Sequence, residues 1–586
     1  MNTKDETNLK KAQQYYDANS YYKAERSLAK IKTVNLTVTM LMAEVYYALK
    51  KYALCIVKSK TIVEGNPIDL ASKTAEQKQL TQKKYLLLLA KALFESKAMR
   101  EAKYYLEQSV ALDSTITNAE AIVLLLIVYK HQAELLALEA LAPKLLSWEK
   151  YHLAASVALI QSAAKQANKG LLSERLLAII PYACHLKLTD VTTVIYYLIA
   201  SGLYEQAHNL ISAYKETHKQ VVFSRFEAQL LLEQKKYQEL LEFIRTLPNE
   251  LLQQQIKLNY YYAKALDSDK KYSSAFEYLT TGAKARKAQH KAELTSIDYA
   301  RLYRKQLDKK QHIKLNDKES MNANTESLPT TLTHVFAIGF PRSGTTLLDN
   351  ILNTQPNVFV ASEPPSIACV IDAFSFELNK KYPQDLTSLT PAECAILRRV
   401  YFNSLKNMGY EIIKDGVLVD KNPHHTIHLP LINVLFPYAK IILSVRHPLD
   451  VCLSCFQADF VLNKESQHLI SIKDIVTRYV SIFTLLRRYQ SELNNSFLKV
   501  RYEDLVTDFE TQVARVFNFI GIEGDDKYKD FHQHDENKFI TSASRGQTNQ
   551  PLYKSSLAKW RNYEVQLQPY KPQLQTFIDE FGYSID

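Results

Sequence analysis

Glycine is scarce in this chain and unevenly placed. Only 12 of the 586 residues are glycine, and just four of them, Gly65, Gly170, Gly202 and Gly282, precede residue 330. Proline is sparse over the same stretch. Without that punctuation the first half cannot be a set of short strands and tight turns. Cysteine is also rare. Six residues in so long a chain exclude a disulfide-stapled scaffold and fit a reducing compartment. The one close pair, Cys452 and Cys455, has no second pair to complete a zinc site and reads as two packed residues of a helix. Long apolar runs are missing. The longest, Ala121 to Tyr129, is far below the ~18 residues of a membrane span. The first residues, Met1-Asn-Thr-Lys-Asp-Glu-Thr, are polar and carry no secretory hydrophobic region. The expectation is a soluble cytoplasmic protein with no transmembrane segment. A formal charge of +11 favours anionic ligands. The Lys and Arg residues are scattered, which reads as a solvated surface and not as a nucleic-acid footprint.

What fills the first half is alanine, leucine, lysine, glutamate and tyrosine, a helical composition. A weak repeat runs through it: Ser20-Tyr-Tyr22-Lys-Ala24, Lys51-Tyr52-Ala53, Met99-Arg-Glu-Ala102, Leu203-Tyr204-Glu-Gln-Ala207, Lys236-Tyr237 and Lys271-Tyr272-Ser-Ser-Ala275. Tyr204, Tyr237 and Tyr272 stand 33 and 35 residues apart. A two-helix unit of that length buries its apolar face only against the next unit, and an alanine lets paired helices approach closely. The pattern resembles the tetratricopeptide family over much of residues 8–290. Residues 115–195 depart from the period, so irregular helix pairs are expected there. The expected organisation is a repeat domain over 1–304, a polar linker over 305–330 and a second domain over 331–586. The alternative for the first half is a non-repeating helical bundle.

After Thr331 short β-rich runs alternate with helical stretches. Candidate strands are 335–338, 358–360, 417–419, 441–445 and 497–502. The alternation predicts an α/β domain with a parallel sheet covered by helices, and ligands at the carboxyl ends of its strands. The first strand runs straight into Gly339-Phe-Pro-Arg-Ser-Gly344-Thr-Thr346. Two glycines five residues apart let backbone N–H groups turn inward around an anion, and the following helix adds its positive end. Arg342, Ser343, Thr345 and Thr346 supply further donors. Position 345 is threonine where a nucleotide triphosphatase has its phosphate-binding lysine. A second cluster, Val445-Arg446-His-Pro448 with Ser454 eight residues past the arginine, could place a forked arginine and a hydroxyl on another phosphate. Two phosphate sites on two strand ends imply a nucleoside with anionic groups at both ends.

That combination resembles the sulfotransferase family, above all tyrosylprotein sulfotransferases and the bacterial tetratricopeptide-sulfotransferases, over residues 332–575. The resemblance implies 3′-phosphoadenylyl sulfate (PAPS) as co-substrate and adenosine 3′,5′-bisphosphate as product. Pro341-Arg-Ser-Gly344-Thr-Thr346 resembles its 5′-phosphosulfate loop, and Arg446 with Ser454 its 3′-phosphate motif. Ala361-Ser-Glu363-Pro resembles the segment with the catalytic base. Asp420-Lys421-Asn-Pro423 resembles the segment whose lysine stabilises the transition state. Val500-Arg-Tyr502 resembles the segment with a nucleotide-contacting tyrosine. Ser544-Arg-Gly-Gln547 onward to Lys559-Trp560 resembles the loop that closes over the donor, with Ser544 matching a transition-state serine and Gln547 and Lys559 on the donor side. One departure is Ala458, where a basic residue is expected; Lys554 is the candidate replacement.

Sulfuryl transfer suits these residue types. It leaves the protein to position reactants and neutralise charge. Glu363 would take the acceptor's proton and Lys421 would face the leaving oxygen. No acidic cluster suited to magnesium stands near the loop, and no metal is expected. His424, His425 and His428 are expected as packed or surface residues. The acceptor hydroxyl stays open between peptide tyrosine, sugar and lipid. The repeat domain would hold a protein or peptide acceptor, or join two copies as a homodimer. Competing readings are a P-loop kinase or nucleotidase and a non-catalytic nucleotide-binding scaffold.

Overall fold

The computed structural model describes residues 2–65, 74–217, 222–290, 298, 301–303, 305, 332–410, 415–460, 466–490, 492–533, 539 and 551–585. They form two compact units, Met1–Ser162 and Ala163–Asp586. The boundary expected at residue 304 lies inside the second unit. The helices Ile256–Ser268 and Tyr272–Gln289 pack on the α/β region through Tyr272 on Tyr563 (ring centroids 5.3 Å) and Phe276 on Phe456 (5.1 Å). Except for Lys305, the expected linker lies outside the described residues.

The helices of the first half come in pairs, and one turn geometry recurs. Asn19, Lys50, Lys97, Ala133, Ala167, Gly202, Lys235 and Lys270 all have φ between +55° and +82°. In each case the next residue donates its N–H to the carbonyl five residues before it, as Lys51 does to Tyr46 and Lys236 to Leu231. These are Schellman closures of the first helix of a pair. From Lys97 onward the turns stand 33 to 36 residues apart. The period therefore persists through 115–195, where the sequence departs from it, because backbone geometry recurs without its side-chain signature. The small residue three positions into the second helix is fully buried at Ala24, Ala102, Ala207 and Ala275. In one pair the register corrects the sequence reading. Ala53 is exposed, and Cys55 takes the buried position.

All five expected strands form: β1 (Thr333–Gly339), β2 (Val358–Ser362), β3 (Val417–Lys421), β4 (Lys440–Val445) and β5 (Phe497–Arg501). They pair in parallel in the order β2-β3-β1-β4-β5. Alternate residues divide between two cores. Val335, Ala337, Val419 and Ile442 pack with Leu348, Ile351 and Phe517. Phe336, Ile338, Ile441 and Leu443 pack with Leu397, Leu453 and Phe483. The helix after β1 thus covers one face and the helix after β4 the other. The chain switches direction between β1 and β4, which opens a crevice at their carboxyl ends. Among the described residues no helix is long and apolar enough to cross a membrane.

Candidate active site

The strand order lays the candidate residues along one edge. Reading β2, β3, β1, β4, β5 gives Glu363, Lys421, the Gly339–Gly344 loop, Arg446 and Tyr502. A cleft of about 880 Å³, counted with its open mouth, lies over the last three. Arg342, Gly344, Thr345, Thr346, Arg446, Ser454, Tyr502 and Lys559 all line it, joined by Gln457, Tyr553 and Ser556.

The loop is shaped by close approach. A Cβ on Gly339 would meet the Ser343 hydroxyl and the Ser444 carbonyl at 2.6 Å each. Gly344 has φ +99°, and a Cβ there would strike the Tyr502 ring at 2.6 Å. Both positions therefore require glycine. The helix Thr345–Asn353 starts at the cleft, where its first amides have no intrahelical acceptor. Arg342, at φ +71°, donates from Nε to Ser454 Oγ at 3.1 Å. Arg446 donates to the Arg342 carbonyl at 3.4 Å and to the Ser556 carbonyl at 2.6 Å. Its guanidinium lies 4.9 Å from the Tyr502 ring centre, and the Tyr502 hydroxyl bonds Ser556 Oγ at 2.8 Å. Burial, reinforced by Arg446, pulls the Arg342 pKa below its ordinary value. Two guanidinium groups, Arg446 buried and Arg342 half-buried, converge on one cleft and favour an anion between them.

Ser343 is placed differently from the sequence reading. It is buried under the loop, does not line the cleft, and its N–H donates to the Phe340 carbonyl. Lys554 is exposed and does not line the cleft either. Near Ala458 the cations come instead from the helical region. Lys257 and Arg286 pair with Asp459 at 3.1 and 3.2 Å. Ser544 and Gln547 lie outside the described residues.

Glu363 and Lys421 meet at the ends of β2 and β3, on the side of the loop away from Arg446. Lys421 Nζ is 2.9 Å from Glu363 Oε1 and 3.4 Å from Asp349 Oδ2. Lys421 is 2% exposed, whereas Glu363 is 39% exposed and opens to solvent. Glu363 has φ +51°, and its N–H donates to the Lys421 carbonyl at 2.7 Å. A non-glycine residue in this region is strained, and such strain gathers at functional positions. Burial alone would raise the Glu363 pKa; the Lys421 ammonium overrides it and holds the carboxyl below its usual value. Burial would lower the Lys421 pKa, but Glu363 and Asp349 hold it above its usual value. Glu363 is therefore an ionised, strained carboxylate at a strand end, which a proton acceptor must be.

Asp349 went unnoticed in the sequence. It stands on the helix after β1 and also accepts from Ser362 Oγ; its partners lie on other strands, so no local pattern marked it. Ser556 and Gln457 carried no such pattern either. Behind the edge, Asp420 is fully buried and accepts from Ser366 Oγ at 2.7 Å and Tyr401 OH at 2.8 Å. His425 Nδ1 lies 3.4 Å from Asp420, and His428 Nδ1 is 2.7 Å from the Tyr382 hydroxyl. Both imidazoles are buried packing residues. Cys452 and Cys455 are buried in the helix Pro448–Phe456, where Cys455 Sγ donates to the Pro341 carbonyl beneath the loop.

Residues 334–526 match the sulfotransferase family. Protein-tyrosine sulfotransferase A of Caenorhabditis elegans is 26% identical over 235 residues, which is 39% of this chain and 60% of that protein. An omega-hydroxy-beta-dihydromenaquinone-9 sulfotransferase of Mycobacterium tuberculosis (strain CDC 1551 / Oshkosh) is 28% identical over 144 residues, 24% of this chain and 37% of that protein. An uncharacterized protein of Aquifex aeolicus (strain VF5) is 24% identical over 248 residues, 41% of this chain and 32% of that protein. The chain spans between 30% and 65% of the length of the curated relatives it matches. Its α/β region thus carries a sulfotransferase-family domain with homology to protein-tyrosine sulfotransferases.

Proposed function

We propose that this protein transfers a sulfuryl group from PAPS to an acceptor hydroxyl. The observation that carries the reading is the convergence of Arg342 and Arg446 on one cleft, with the Glu363–Lys421 pair on the adjoining strand ends. The loop amides, Thr345, Thr346 and Arg342 would hold the phosphosulfate end. Arg446 and Ser454 would hold the 3′-phosphate, with Tyr502 and Lys559 along the nucleotide. Gln547 and Ser544 belong to the same reading.

In the step itself an acceptor oxygen forms a bond to sulfur as the bond from sulfur to the phosphate oxygen breaks. The acceptor's proton passes to the Glu363 carboxylate. The electron pair stays on the departing adenosine 3′,5′-bisphosphate, and Lys421 stabilises that developing charge. Ser544 would assist at the same centre. Peptide tyrosine is the acceptor we favour, because protein-tyrosine sulfotransferases stand among the relatives. The recurring left-handed turns support reading the helical region as a tetratricopeptide array that holds such an acceptor.

Thermal unfolding with nucleotides tests this. Adenosine 3′,5′-bisphosphate should raise the melting temperature where ATP with magnesium does not; at 100 times its Kd it adds about 2.7 kcal/mol. Stabilisation by ATP with magnesium alone would replace this reading with a P-loop kinase or nucleotidase.

A further inference from the structure

One carboxylate from the helical region reaches side chains that line the cleft. Asp267 sits near the end of the helix Ile256–Ser268, three residues before the left-handed turn at Lys270. Its Oδ2 accepts from Lys559 Nζ at 2.6 Å. Its Oδ1 accepts from the Tyr563 hydroxyl at 2.5 Å and from Gln457 Nε2 at 3.4 Å. Gln457 also donates to the Tyr563 hydroxyl at 3.1 Å. Lys559 and Gln457 are two of the residues that line the cleft. Asp267 is 15% exposed and Lys559 32%. One side chain thus bonds groups that lie between 190 and 296 residues away from it in sequence.

We infer that Asp267 is a positioning residue for the donor nucleotide, and that the helical hairpin 256–289 is part of the donor site. The identity of the nucleotide rests on the sulfotransferase reading; the placing of Asp267 rests on geometry. Lysine carries its charge on a flexible stem, and ordering that stem opposes binding. A partly buried carboxylate holds the stem in place before the nucleotide arrives. An ammonium group has three donors. Asp267 takes one, and the others remain for a phosphate. The hairpin is itself held in place: Tyr272 and Phe276 pack on the α/β core, and Arg286 pairs with Asp459. Asp267 is therefore presented from a rigid element.

Calorimetric titration of the full chain with adenosine 3′,5′-bisphosphate tests the inference. Asp267→Asn keeps the size and an acceptor oxygen but removes the charge. It should weaken binding about fivefold, the scale of one freed long side chain. Donor KM should rise more than kcat falls, and the melting temperature should stay near the wild-type value. Asp267→Asn together with Lys559→Met should bind no more weakly than Lys559→Met alone. Wild-type affinity in Asp267→Asn, or full additivity of the two losses, would overturn the inference and leave the sulfotransferase reading standing. A wild-type protein that does not bind the bisphosphate would remove both. A second measurement needs no variant. Bisphosphate should slow amide exchange in 256–268 of the wild-type chain, and unchanged exchange there would count against the inference.

Discussion

Lys421 Nζ stands between two carboxylates, 2.9 Å from Glu363 and 3.4 Å from Asp349. The two anions come from different elements, the end of β2 and the helix after β1. The buried ammonium keeps its charge because both face it, and Glu363 keeps its own because Lys421 does. A pair that holds both partners ionised suits a base and an electrostatic stabiliser working together.

Glu363→Gln should keep bisphosphate affinity and lower the transfer rate by about 10²–10⁴-fold, the usual worth of a general base. Wild-type turnover by this variant in a labelled-donor assay would remove Glu363 from the mechanism.

The acid limb of the pH profile follows from the same pair. Glu363 accepts a proton only when ionised, and its pKa is held below the ordinary value, so activity should fall only at pH below the usual glutamate range of about 4.3. Lys421→Met removes the opposing charge and leaves burial, which raises a carboxyl pKa. Its acid limb should move upward, as well as its rate falling. An unmoved limb in kcat/KM against pH would contradict this assignment.

Asp420 gives a stability prediction of opposite sign. Burial pushes its carboxyl up to about 7 in the folded chain, above the unfolded value of about 3.9. Its favourable contribution is full below the unfolded value and is lost as pH rises through about 7. Asp420→Asn cannot titrate. Compared with wild type, its melting temperature should improve from pH 5 to about pH 7 and level off above that. Parallel melting curves across that range would show that Asp420 is not neutral in the fold.

Gly344→Ala places a methyl group 2.6 Å from the Tyr502 ring at a φ of +99°. The expected cost is about 1–3 kcal/mol from overpacking, with loss of bisphosphate binding. Chemical denaturation and titration measure both. A variant with native affinity would mean that the ring moves freely aside.

Lys235 is exposed and holds φ +59° at the turn before the helix Tyr237–Arg245. A left-handed conformation costs an L-residue with a side chain roughly 1–2 kcal/mol, part of which glycine returns as chain entropy. Lys235→Gly should therefore stabilise by about 0.5–1 kcal/mol. Destabilisation on heating would show that the lysine side chain contributes more than the turn strain.

The Gly339–Gly344 loop was legible because its signal is local. Gly339 and Gly344 stand in one short stretch between an apolar strand and a helix, and the structure needs both glycines where they are. The strands were legible for the same reason, as short apolar runs between turn residues. The repeat through 115–195 was not. Its turns rest on backbone closures at Ala133 and Ala167, and only Gly202 among the eight turns shows the residue that advertises them. Ser343 is buried under the loop and not in the cleft, because a loop motif cannot say which side a hydroxyl takes. Asp267 was invisible, since its partners Lys559 and Tyr563 lie nearly 300 residues away.

The chain of residues alone determined that a strand runs through a glycine-bounded loop into a helix, that the second half is a parallel α/β domain, and that the first half is helical. Those are matters of periodicity and glycine placement, and they need no long-range contact. Tertiary structure alone decided that β3 inserts between β2 and β1, and so set Lys421 beside Glu363, opposite Arg446 across the loop. It also decided that a carboxylate from the helical region holds Lys559, which lines the cleft. Neighbours across a sheet or between packed helices are chosen by the burial of whole faces, and that choice is written in no single segment.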